Sequence, residues 1–381
     1  MRIRGRDALL GQGYDHVAFC PASLPASVPL SERTYKLVSE ADRAVGRLDA
    51  GTGRLPNPSL LVRPTIYREA VSTSALEGTY AALVDVLEAD YVDERQQTYE
   101  VREVMNYVRA ATRALELIKT KPICITLISE LQQILVKGTR GDFSDADRLR
   151  QGQVYIGERT QGISDSRYVP PPPDLLQDGM GRWEAWINAD NDVPLLVKAA
   201  LGHYQFEALH PFSDGNGRLG RLIVVLQLVY AGALALPILN LSPWLEARKD
   251  RYKDLLLDLS ATGDYDPWVQ FFAKAVKAQA EDALARVERI IEVREEMLQA
   301  LRAQRARGVV LEIVDDLIAY PVITATQAAA LHNVTYPPAN TAIQRLAALG
   351  FLRELTGKSY GRVFACTEIM RAVDGPIARR G

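Results

Sequence analysis

The segment HPFSDGNGRLGR, residues 210–221, joins two apolar helical patterns and decides how the chain around it folds. The preceding pattern, LLVKAALGHYQFEALH, is expected to end near His210, because the proline that follows lacks the backbone N–H that a helix interior needs. Gly215 and Gly217 allow the chain to bend, and a second helix is predicted from about Arg218 through LIVVLQLVY. The sequence therefore predicts two buried helices that meet at a glycine-rich turn.

The same turn predicts an anion-binding site. Its glycines let successive N–H groups converge at the start of the second helix, where the helix dipole favours a phosphate group. Arg218 and Arg221 lie three residues apart, which places both guanidinium groups on one face of that helix. Two arginines beside these converging N–H groups indicate a ligand with several phosphates. The apolar residues of the helix are expected to face the core: Leu219, Leu222, Ile223 and Leu226.

Two further side chains in the turn carry chemistry. Asp214 supplies a carboxylate suited to Mg²⁺, an ion that takes one or two carboxylates together with phosphate oxygens. His210 stands at the rim and is suited to remove a proton from an attacking hydroxyl. A single histidine at a helix end is more often a packed or capping residue, and a single Gly-Asn-Gly is more often a turn. The combination of all these groups favours phosphoryl or nucleotidyl transfer.

The composition indicates a globular protein and argues against several other classes. The 381 residues are 48% hydrophobic and 24% charged, which suffices for two or three domains with buried cores. The 45 basic and 47 acidic residues nearly balance, so net charge points to no particular partner. Three scattered cysteines and four unpaired histidines argue against a disulfide scaffold and a zinc site. With no export signal apparent, we expect a cytoplasmic location.

One uncharged segment, residues 222–239, approaches the length of a membrane-spanning helix. Gly232 and Pro237 interrupt it, and Arg218 and Arg221 lie on the first turn of the same helix. We therefore expect a buried core helix followed by a loop, and no membrane partner.

Helical periodicity dominates the chain, so the predicted fold class is mainly α. Four segments repeat apolar residues at helical spacing: SERTYKLVSEADRAVGRLD, REAVSTSALEGTYAALVDVLEA, TYEVREVMNYVRAATRALELI and LARVERIIEVREEMLQALRAQRAR. The clearest exception is GQVYIGERTQGISDSRYVPPPP, residues 152–173, which we call the flap. In it VYI (154–156) favours a short strand, GERTQG (157–162) a turn and the prolines an extended exit, so a β-hairpin on a helical body is predicted.

Residues 309–381 predict a separate module. VVLEIVDDLIAYP, TATQAAALHNV and PPANTAIQRLAALG are three helical patterns, and FLREL followed by RVFACT is a hairpin pattern. This order predicts a winged helix-turn-helix domain. The third helix carries one cation, Arg345, and the module has seven basic residues against six acidic ones. Because a DNA-binding surface normally shows a basic stripe, a target-binding or dimerisation module is favoured, with DNA binding as the alternative.

The segment HPFSDGNGRLGR resembles the signature of the Fic family, His-Pro-Phe-x-Asp-Gly-Asn-Gly-Arg-x-x-Arg, at every specified position. GHYQFEALHPF, LNLSPWLEARKDRYKDLL and GDYDPWVQFF are similar to the flanks of Fic domains, and the resemblance covers roughly residues 30–285. It implies a Fic-type helical bundle and a protein adenylyltransferase that moves AMP from ATP to a hydroxyl of a target protein or of itself. It also implies three regions: 1–115 with an inhibitory helix, 116–285 as the Fic catalytic domain, and 286–381 as a linker helix and the winged helix.

The resemblance implies a role for each residue of the signature. His210 would deprotonate the target hydroxyl, Asp214 would hold Mg²⁺, and Phe212 would be a buried anchor for the loop. The residues that would bind the nucleotide phosphates are a backbone cradle and two cations: Gly215, Asn216, Gly217, Arg218 and Arg221.

Two sites outside the signature also follow from the resemblance. Tyr252 would contact adenine, and where many Fic chains carry a second tyrosine this sequence has Lys253, which leaves other nucleotide donors open. The flap would position the target segment by main-chain pairing, through Gln153, Val154, Tyr155, Ile156 and Gly157. A homodimer is a further expectation from the family.

Glu77 lies in VSTSALEGTYA, where Thr73, Glu77 and Gly78 match the inhibitory pattern of the family. From the residues alone, this is an amphipathic helix that closes at Gly78, with Glu77 as a solvated charge in the last turn. A carboxylate at a helix C-terminus opposes the helix dipole, so a cation partner is expected. The resemblance implies that this partner is Arg221, and that the pair displaces the γ-phosphate of ATP.

Three alternatives stay open at this point. The chain is either an adenylyltransferase, an enzyme that removes AMP with Glu77 activating water, or a transferase that uses another nucleotide donor. A DNA-binding regulator that acts through the C-terminal module belongs to a different class. No motif identifies the target protein or its acceptor residue.

Overall fold

The computed structural model describes residues 6–9, 17–157, 162–357 and 360–376, and these ranges contain fifteen α-helices and five β-strands. The helices are α1 (Glu32–Thr52), α2 (Val62–Leu76), α3 (Leu83–Glu88), α4 (Tyr99–Leu117), α5 (Ile125–Val136), α6 (Leu176–Asn188), α7 (Leu195–Leu209), α8 (Asn216–Tyr230), α9 (Ser242–Glu246), α10 (Lys249–Thr262), α11 (Tyr265–Ala303), α12 (Val309–Ala319), α13 (Ala325–Leu331), α14 (Tyr336–Ala348) and α15 (Thr367–Asp374). The strands are β1 (Arg6–Leu9), β2 (Val17–Cys20), β3 (Val322–Thr324), β4 (Arg353–Glu354) and β5 (Val363–Ala365). The prediction of a mainly α fold is confirmed.

The helices on either side of the signature lie in the core. α7 ends at Leu209, and α8 begins at Asn216, two residues before the predicted start. Gly215 causes this difference, because it adopts a left-handed conformation (φ 87°) and forms the N-cap of α8. Both helices are buried on nearly all sides, as is typical of core helices. The residues of α8 that were predicted to face the core are at most 5% exposed: Leu219, Leu222, Ile223 and Leu226.

Two long helices, α1 and α11, pack along each other. The 39 residues of α11 include most of the charged pattern predicted over 284–307. The side chain of Leu284 occupies the position that a β-carbon on Gly51 would need, so the two helices approach closely at this point. An ion pair between Lys277 Nζ and Glu40 Oε2, 2.8 Å apart, lies on the same interface. This packing fixes the N-terminal region against the rest of the chain.

One apolar cluster runs through all three predicted regions. It includes Leu48 of α1, Leu201 of α7, Ile290 of α11 and Ile343 of α14. A second cluster joins α4, α5 and α8, and it also contains Val363 of β5. Because side chains from the three regions share these cores, the proposed region boundaries stay a prediction.

The C-terminal module contains the predicted elements together with strand β3 and helix α15. α12, α13 and α14 correspond to the three helical patterns, and β4 and β5 to the hairpin. The additional strand β3 pairs with β5 to give an antiparallel sheet of order β3-β5-β4, with Val322 opposite Ala365. This pairing joins residues that lie 39 to 43 positions apart in sequence, so no local pattern indicates it. The winged-helix assignment itself stays a prediction.

The flap differs from its prediction. Its described residues contain no regular strand, only an isolated antiparallel bridge between Ile156 and Tyr168. The prolines at 170–173 lack N–H donors, and the carbonyl of Pro170 already accepts a hydrogen bond from the side chain of Gln153. The main-chain hydrogen bonds of a β-ladder therefore cannot continue beyond the bridge. The predicted strand at 154–156 is therefore wrong, and residues 158–161 of the predicted turn lie outside the described residues.

An unpredicted strand pair lies near the N-terminus. β1 and β2 are antiparallel, with Arg6 opposite Cys20 and Leu9 opposite Val17. The N–H of Phe19 donates to the carbonyl of Val169 at 2.8 Å, which connects β2 to the flap. Across the described chain, the helices fall short of the length and apolar character that crossing a bilayer requires.

Candidate active site

The signature forms a tight loop between α7 and α8, closed by its own side chains. The amide of Asn216 donates from Nδ2 to the carbonyl of Phe212 at 2.7 Å, and its Oδ1 accepts from the N–H of Phe212 at 2.9 Å. The ring of Phe212 is 0% exposed, so the expected anchor is present. Both polar groups of the Asn216 side chain are thus hydrogen-bonded within the loop, so Asn216 would bind a ligand through its main chain.

His210 begins this loop and lies at the C-terminal end of α7. Its backbone is left-handed (φ 48°, ψ 60°), and its N–H donates to the carbonyl of Phe206 at 2.9 Å. Burial lowers the pKa of its imidazole to about 4, and the positive charge of Arg150 acts in the same direction. The ring is therefore neutral at pH 7 and able to accept a proton.

Arg218 is held by two carboxylates. Its Nη1 donates to Glu103 Oε1 at 2.7 Å, and its Nη2 donates to Asp214 Oδ1 at 2.9 Å. The side chains of Arg218 and Glu103 are only 3% and 10% exposed, whereas that of Asp214 is 32% exposed. A β-carbon on Gly141 would lie 2.5 Å from the carboxyl carbon of Asp214, so the loop before the flap approaches this carboxylate closely.

Arg221 is held by the last turn of α2. Its Nε donates to Thr73 Oγ1 at 2.7 Å, and its Nη2 donates to the carbonyl of Thr73 at 3.1 Å and to Glu77 Oε1 at 2.6 Å. The guanidinium is 2% exposed, and the Glu77 side chain is 40% exposed. Glu77 Oε1 also occupies the space next to the α-carbon of Gly217. The residues of the inhibitory pattern and the signature therefore meet, and Gly78 ends the helix with φ 89°.

The charges of this pair reinforce each other. Burial alone would raise the pKa of Glu77, but the charge and the hydrogen bond of Arg221 outweigh it and hold the pKa below its usual value. The carboxylate in turn raises the pKa of Arg221, against the effect of burial. Both groups are charged at neutral pH.

Tyr252 lies beneath Arg221 and is 4% exposed. Its hydroxyl is hydrogen-bonded to Nε2 of His203 at 2.7 Å, and burial lowers the pKa of that imidazole to about 3. Burial also raises the pKa of Glu207 to about 7, with Arg221 opposing the rise. Most of Tyr252 thus belongs to the floor of the site, and only part of its surface is left for a base.

Two cavities meet at His210, Glu77 and Gly217. The first encloses about 160 Å³, and its wall away from these residues is largely apolar and aromatic: Ile156, Tyr168, Tyr204, Ala208, Leu256 and Leu257. The second encloses about 350 Å³ along the polar side of the loop: Glu103, Gly141, Asp214, Gly215, Asn216 and Arg218. The site therefore offers an apolar end and a charged end on either side of the histidine.

Of the flap residues proposed from the sequence, Ile156 lines the first cavity. Gln153 instead faces the chain, donating to the carbonyls of Val154 and Pro170. Tyr155 is 42% exposed, and Gly157 is exposed at the end of the described segment.

Sequence reasoning missed two residues that hold the site. Arg150 donates from Nε to the carbonyl of His210 at 2.9 Å, and Glu103 binds Arg218. Arg150 belongs to a polar loop, where an arginine is usually solvated, and Glu103 lies 115 positions from its partner. The spacing of Glu103 on the buried face of α4, between Val101 and Val104, was the available signal for an internal carboxylate.

The sequence matches two models of one protein family. The N-terminal model of the Fic/DOC family matches residues 35–116, and the Fic/DOC family model matches residues 122–228. The chain is 27% identical to the protein adenylyltransferase fic-1 of Caenorhabditis elegans over 288 residues, which are 70% of this chain and 51% of that protein. It is 31% identical to the protein adenylyltransferase Fic of Drosophila yakuba over 185 residues, which are 48% of this chain and 32% of that protein.

Two solved structures show the same fold. A Fic family protein from Desulfovibrio desulfuricans G20 is similar with a TM-score of 0.59 and 18% identity, over 89% of this chain and 97% of that one. A fragment of C. elegans Fic-1, residues 134 to 508 of that protein, is similar with a TM-score of 0.50 and 20% identity, over 68% of this chain and 74% of the fragment. The chain spans about half the length of the nematode relatives and about a third of the fly relatives.

Proposed function

Because the chain belongs to the Fic/DOC family, we propose that it is a protein adenylyltransferase that Glu77 holds inactive. It would move AMP from ATP to a hydroxyl of a target protein or of itself. The observation that carries the proposal is the contact of Glu77 with Arg221, made on the same loop that presents His210. The relatives named as adenylyltransferases support the reaction class.

The two cavities suit the two ends of a nucleotide. The apolar wall that includes Ile156 and Leu256 is suited to a base, and the N-terminus of α8 with Gly215 and Gly217 is suited to phosphates. Lys253 lines the first cavity, at the position where the family resemblance led us to expect a second tyrosine, so the preference for adenine is part of the proposal.

A magnesium ion fits the charged end only with help from the nucleotide. Asp214 is partly exposed and has one oxygen on Arg218, and the described residues contain no cluster of three or more metal-ligating side chains. Mg²⁺ commonly takes one or two carboxylates and completes its shell with phosphate oxygens and water. Asp214 would hold the ion, which would neutralise phosphate charge when bound.

His210 would act as the general base. The acceptor hydroxyl gives its proton to the imidazole, its oxygen forms a bond to the α-phosphorus, and the bond from that phosphorus to the bridging oxygen breaks, releasing pyrophosphate. The neutral state of the ring supports this role. Phosphate charges beside the ring would raise its pKa from about 4 toward neutrality and make it a stronger base.

Glu77 would block this reaction by occupying Arg221. The carboxylate uses an N–H of the guanidinium and lies over Gly217, where a phosphate would otherwise be received. Glu77→Gly should therefore raise self-modification by about a hundredfold, measured with α-labelled ATP and Mg²⁺. The double variant Glu77→Gly/His210→Ala is the matched control and should bind ATP without transfer. Label transfer from γ-labelled ATP, or no gain in Glu77→Gly, would contradict the proposal.

Removal of AMP is the second candidate, and the placement of Glu77 favours it. The carboxylate borders both cavities beside His210, where it is able to activate a water molecule. An AMP-modified protein produced with Glu77→Gly, then incubated with the unmodified enzyme, separates the two directions. Release of AMP that requires Glu77 would identify the reverse activity.

The C-terminal module and its partners belong to the proposal as well. We propose that residues 309–376 bind the target or a second copy of the chain, since the exposed residues of α14 include Tyr336 and Thr341. The one cation of this helix, Arg345, donates to the carbonyl of Gln304. A gel shift with random and specific duplexes at two salt concentrations tests the DNA alternative. The target itself is best sought by mass spectrometry of a lysate treated with Glu77→Gly and ATP.

A further inference from the structure

Arg150 is a buried arginine that contacts both the signature and the flap. Its Nε donates to the carbonyl of His210 at 2.9 Å, its Nη1 to the carbonyl of Gly152 at 3.0 Å and its Nη2 to the carbonyl of Pro171 at 2.5 Å. Its main-chain N–H donates to the carbonyl of Pro211 at 2.9 Å. Four hydrogen bonds therefore join the His-Pro turn to both ends of the flap.

The position of Arg150 is unusual for a cation. The residue is 1% exposed, and within the described part of the chain its guanidinium binds main-chain carbonyls rather than a carboxylate. Burial lowers its pKa to about 10, so it stays charged at neutral pH. Burying a cation without a carboxylate partner is costly. We therefore expect the contacts of Arg150 with these carbonyls to serve the site as well as the packing.

The conformation of His210 supplies that reason. A left-handed backbone (φ 48°) is unfavourable for residues other than glycine and persists only where the surroundings hold it. The N–H of His210 is held by Phe206 of α7, and its carbonyl is held by Arg150. The two bonds fix the main chain on both sides of the residue that borders both cavities.

We propose that Arg150 is a positioning residue that holds the His210 main chain in its left-handed conformation and links the base to both ends of the flap. This inference rests on the proposed adenylyltransferase function, and it deepens that function with a residue outside the signature. One side chain would thereby set the distance between the base and the segment that presents the acceptor hydroxyl.

The charge of Arg150 has an effect that a purely structural residue would lack. Burial has the largest effect on the pKa of His210 and lowers it, and the Arg150 cation lowers it further. A hydrogen bond to the main chain of Glu207 opposes both, as does the charge of Glu77 at the end of α2. In Glu77→Gly the opposing carboxylate is absent, so Arg150 is the leading charged group that acts on the ring. Its loss raises the pKa of His210, and protonated, inactive imidazole then persists to higher pH.

The test uses the full chain with Glu77→Gly as the parent. AMP transfer by this parent tests the proposed function, and the Arg150 variants made in it then test the role of Arg150. Arg150→Met removes both the charge and the three side-chain hydrogen bonds. Arg150→Lys keeps the charge but loses the planar guanidinium, whose separate nitrogens bind the three carbonyls. Arg148→Met is the matched control, because Arg148 lies two residues away and its side chain is 64% exposed. Self-modification with α-labelled ATP gives the rate, nucleotide titration gives the ATP affinity, and NMR of ¹³C-labelled histidine gives the titration of His210.

The expected results differ between the three variants. Arg150→Met lowers transfer by about a hundredfold with ATP affinity within about threefold, and shifts the His210 titration to higher pH. Arg150→Lys lowers transfer by about tenfold with no shift in the titration, and Arg148→Met matches the parent. Arg150→Met with normal transfer, or with reduced transfer but an unshifted titration, would overturn the inference.

A measurement on the unaltered parent covers the case in which Arg150→Met fails to fold. The Nε–H of Arg150 is buried and hydrogen-bonded to His210, so its hydrogen exchange should be about a hundredfold slower than that of Arg148. Equal exchange rates for the two arginines would show that the contact is absent in solution and would refute the proposal.

Discussion

The two arginines at the start of α8 are equally buried but held in different ways. Arg218 is 3% exposed and bonded to Glu103, which is itself 10% exposed on the inner face of α4. Arg221 is 2% exposed, but its carboxylate partner Glu77 is 40% exposed and stands at the end of a helix. A carboxylate buried in the body of the fold is a permanent part of the structure, whereas one at an exposed helix end can move away. The first arginine is thus built into the fold, and the second is the one at which we propose regulation.

Loss of Glu103 should have the largest effect on stability. Glu103→Ala leaves the guanidinium of Arg218 buried with Asp214 as its remaining partner, and breaking a buried pair in this way costs about 3 kcal/mol of unfolding free energy. Urea unfolding measures the change. Glu116→Ala on the same helix is the control, since that side chain is 60% exposed, and its effect should stay within about 0.5 kcal/mol. If Glu103→Ala raised AMP transfer as much as Glu77→Gly does, Arg218 would be restrained in the same way as Arg221, and the proposed difference between the two arginines would be wrong.

Removal of only the charge of Glu77 should have an intermediate effect. Glu77→Gln keeps the shape of the side chain but loses the ionic part of its bond to Arg221, so transfer should rise about tenfold, less than for Glu77→Gly. The pH dependence follows from the lowered pKa: the stabilising contribution of the pair is present above the usual pKa of Glu77 and is lost only as pH falls through the lower folded value. Inhibition should therefore be constant from pH 6 to 8, and a change in that range that Glu77→Gln abolishes would count against the pair.

The smallest effect is expected for the floor beneath Arg221. Tyr252→Phe removes the hydroxyl that is bonded to His203 at 2.7 Å and should cost about 1 kcal/mol of stability, because a buried imidazole nitrogen loses its partner. Tyr230→Phe, at a residue that is 52% exposed, is the control and should be close to neutral. Inhibition by Glu77 should be unchanged in both variants. Strong activation by Tyr252→Phe would mean that the floor, and not Glu77, restrains Arg221.

The sequence predicts those parts of the molecule in which neighbours along the chain determine the structure. Gly215, Pro211 and the apolar residues of α8 act within a few positions, and the turn and core helix follow from them. The contact of Glu77 with Arg221 joins residues 144 positions apart, so only the family resemblance suggested it. Glu103 and Arg150 were missed for the same reason, since their partners come from distant elements.

The flap shows the opposite error. The residues at 154–156 have strand propensity, but strands need partners, and the prolines that face them cannot donate. The segment forms one bridge, Ile156 to Tyr168, and is otherwise held by side chains such as that of Gln153. Local propensity alone therefore overestimates how far this segment pairs.

We propose that Glu77 restrains Arg221 and thereby keeps the loop from receiving ATP productively. AMP incorporation from α-labelled ATP by Glu77→Gly and by the unaltered chain, side by side and with Mg²⁺ present, tests this restraint. We expect about a hundredfold more label on the variant and none when His210→Ala is added. Equal labelling of the variant and the unaltered chain, or label that survives the loss of His210, would contradict it.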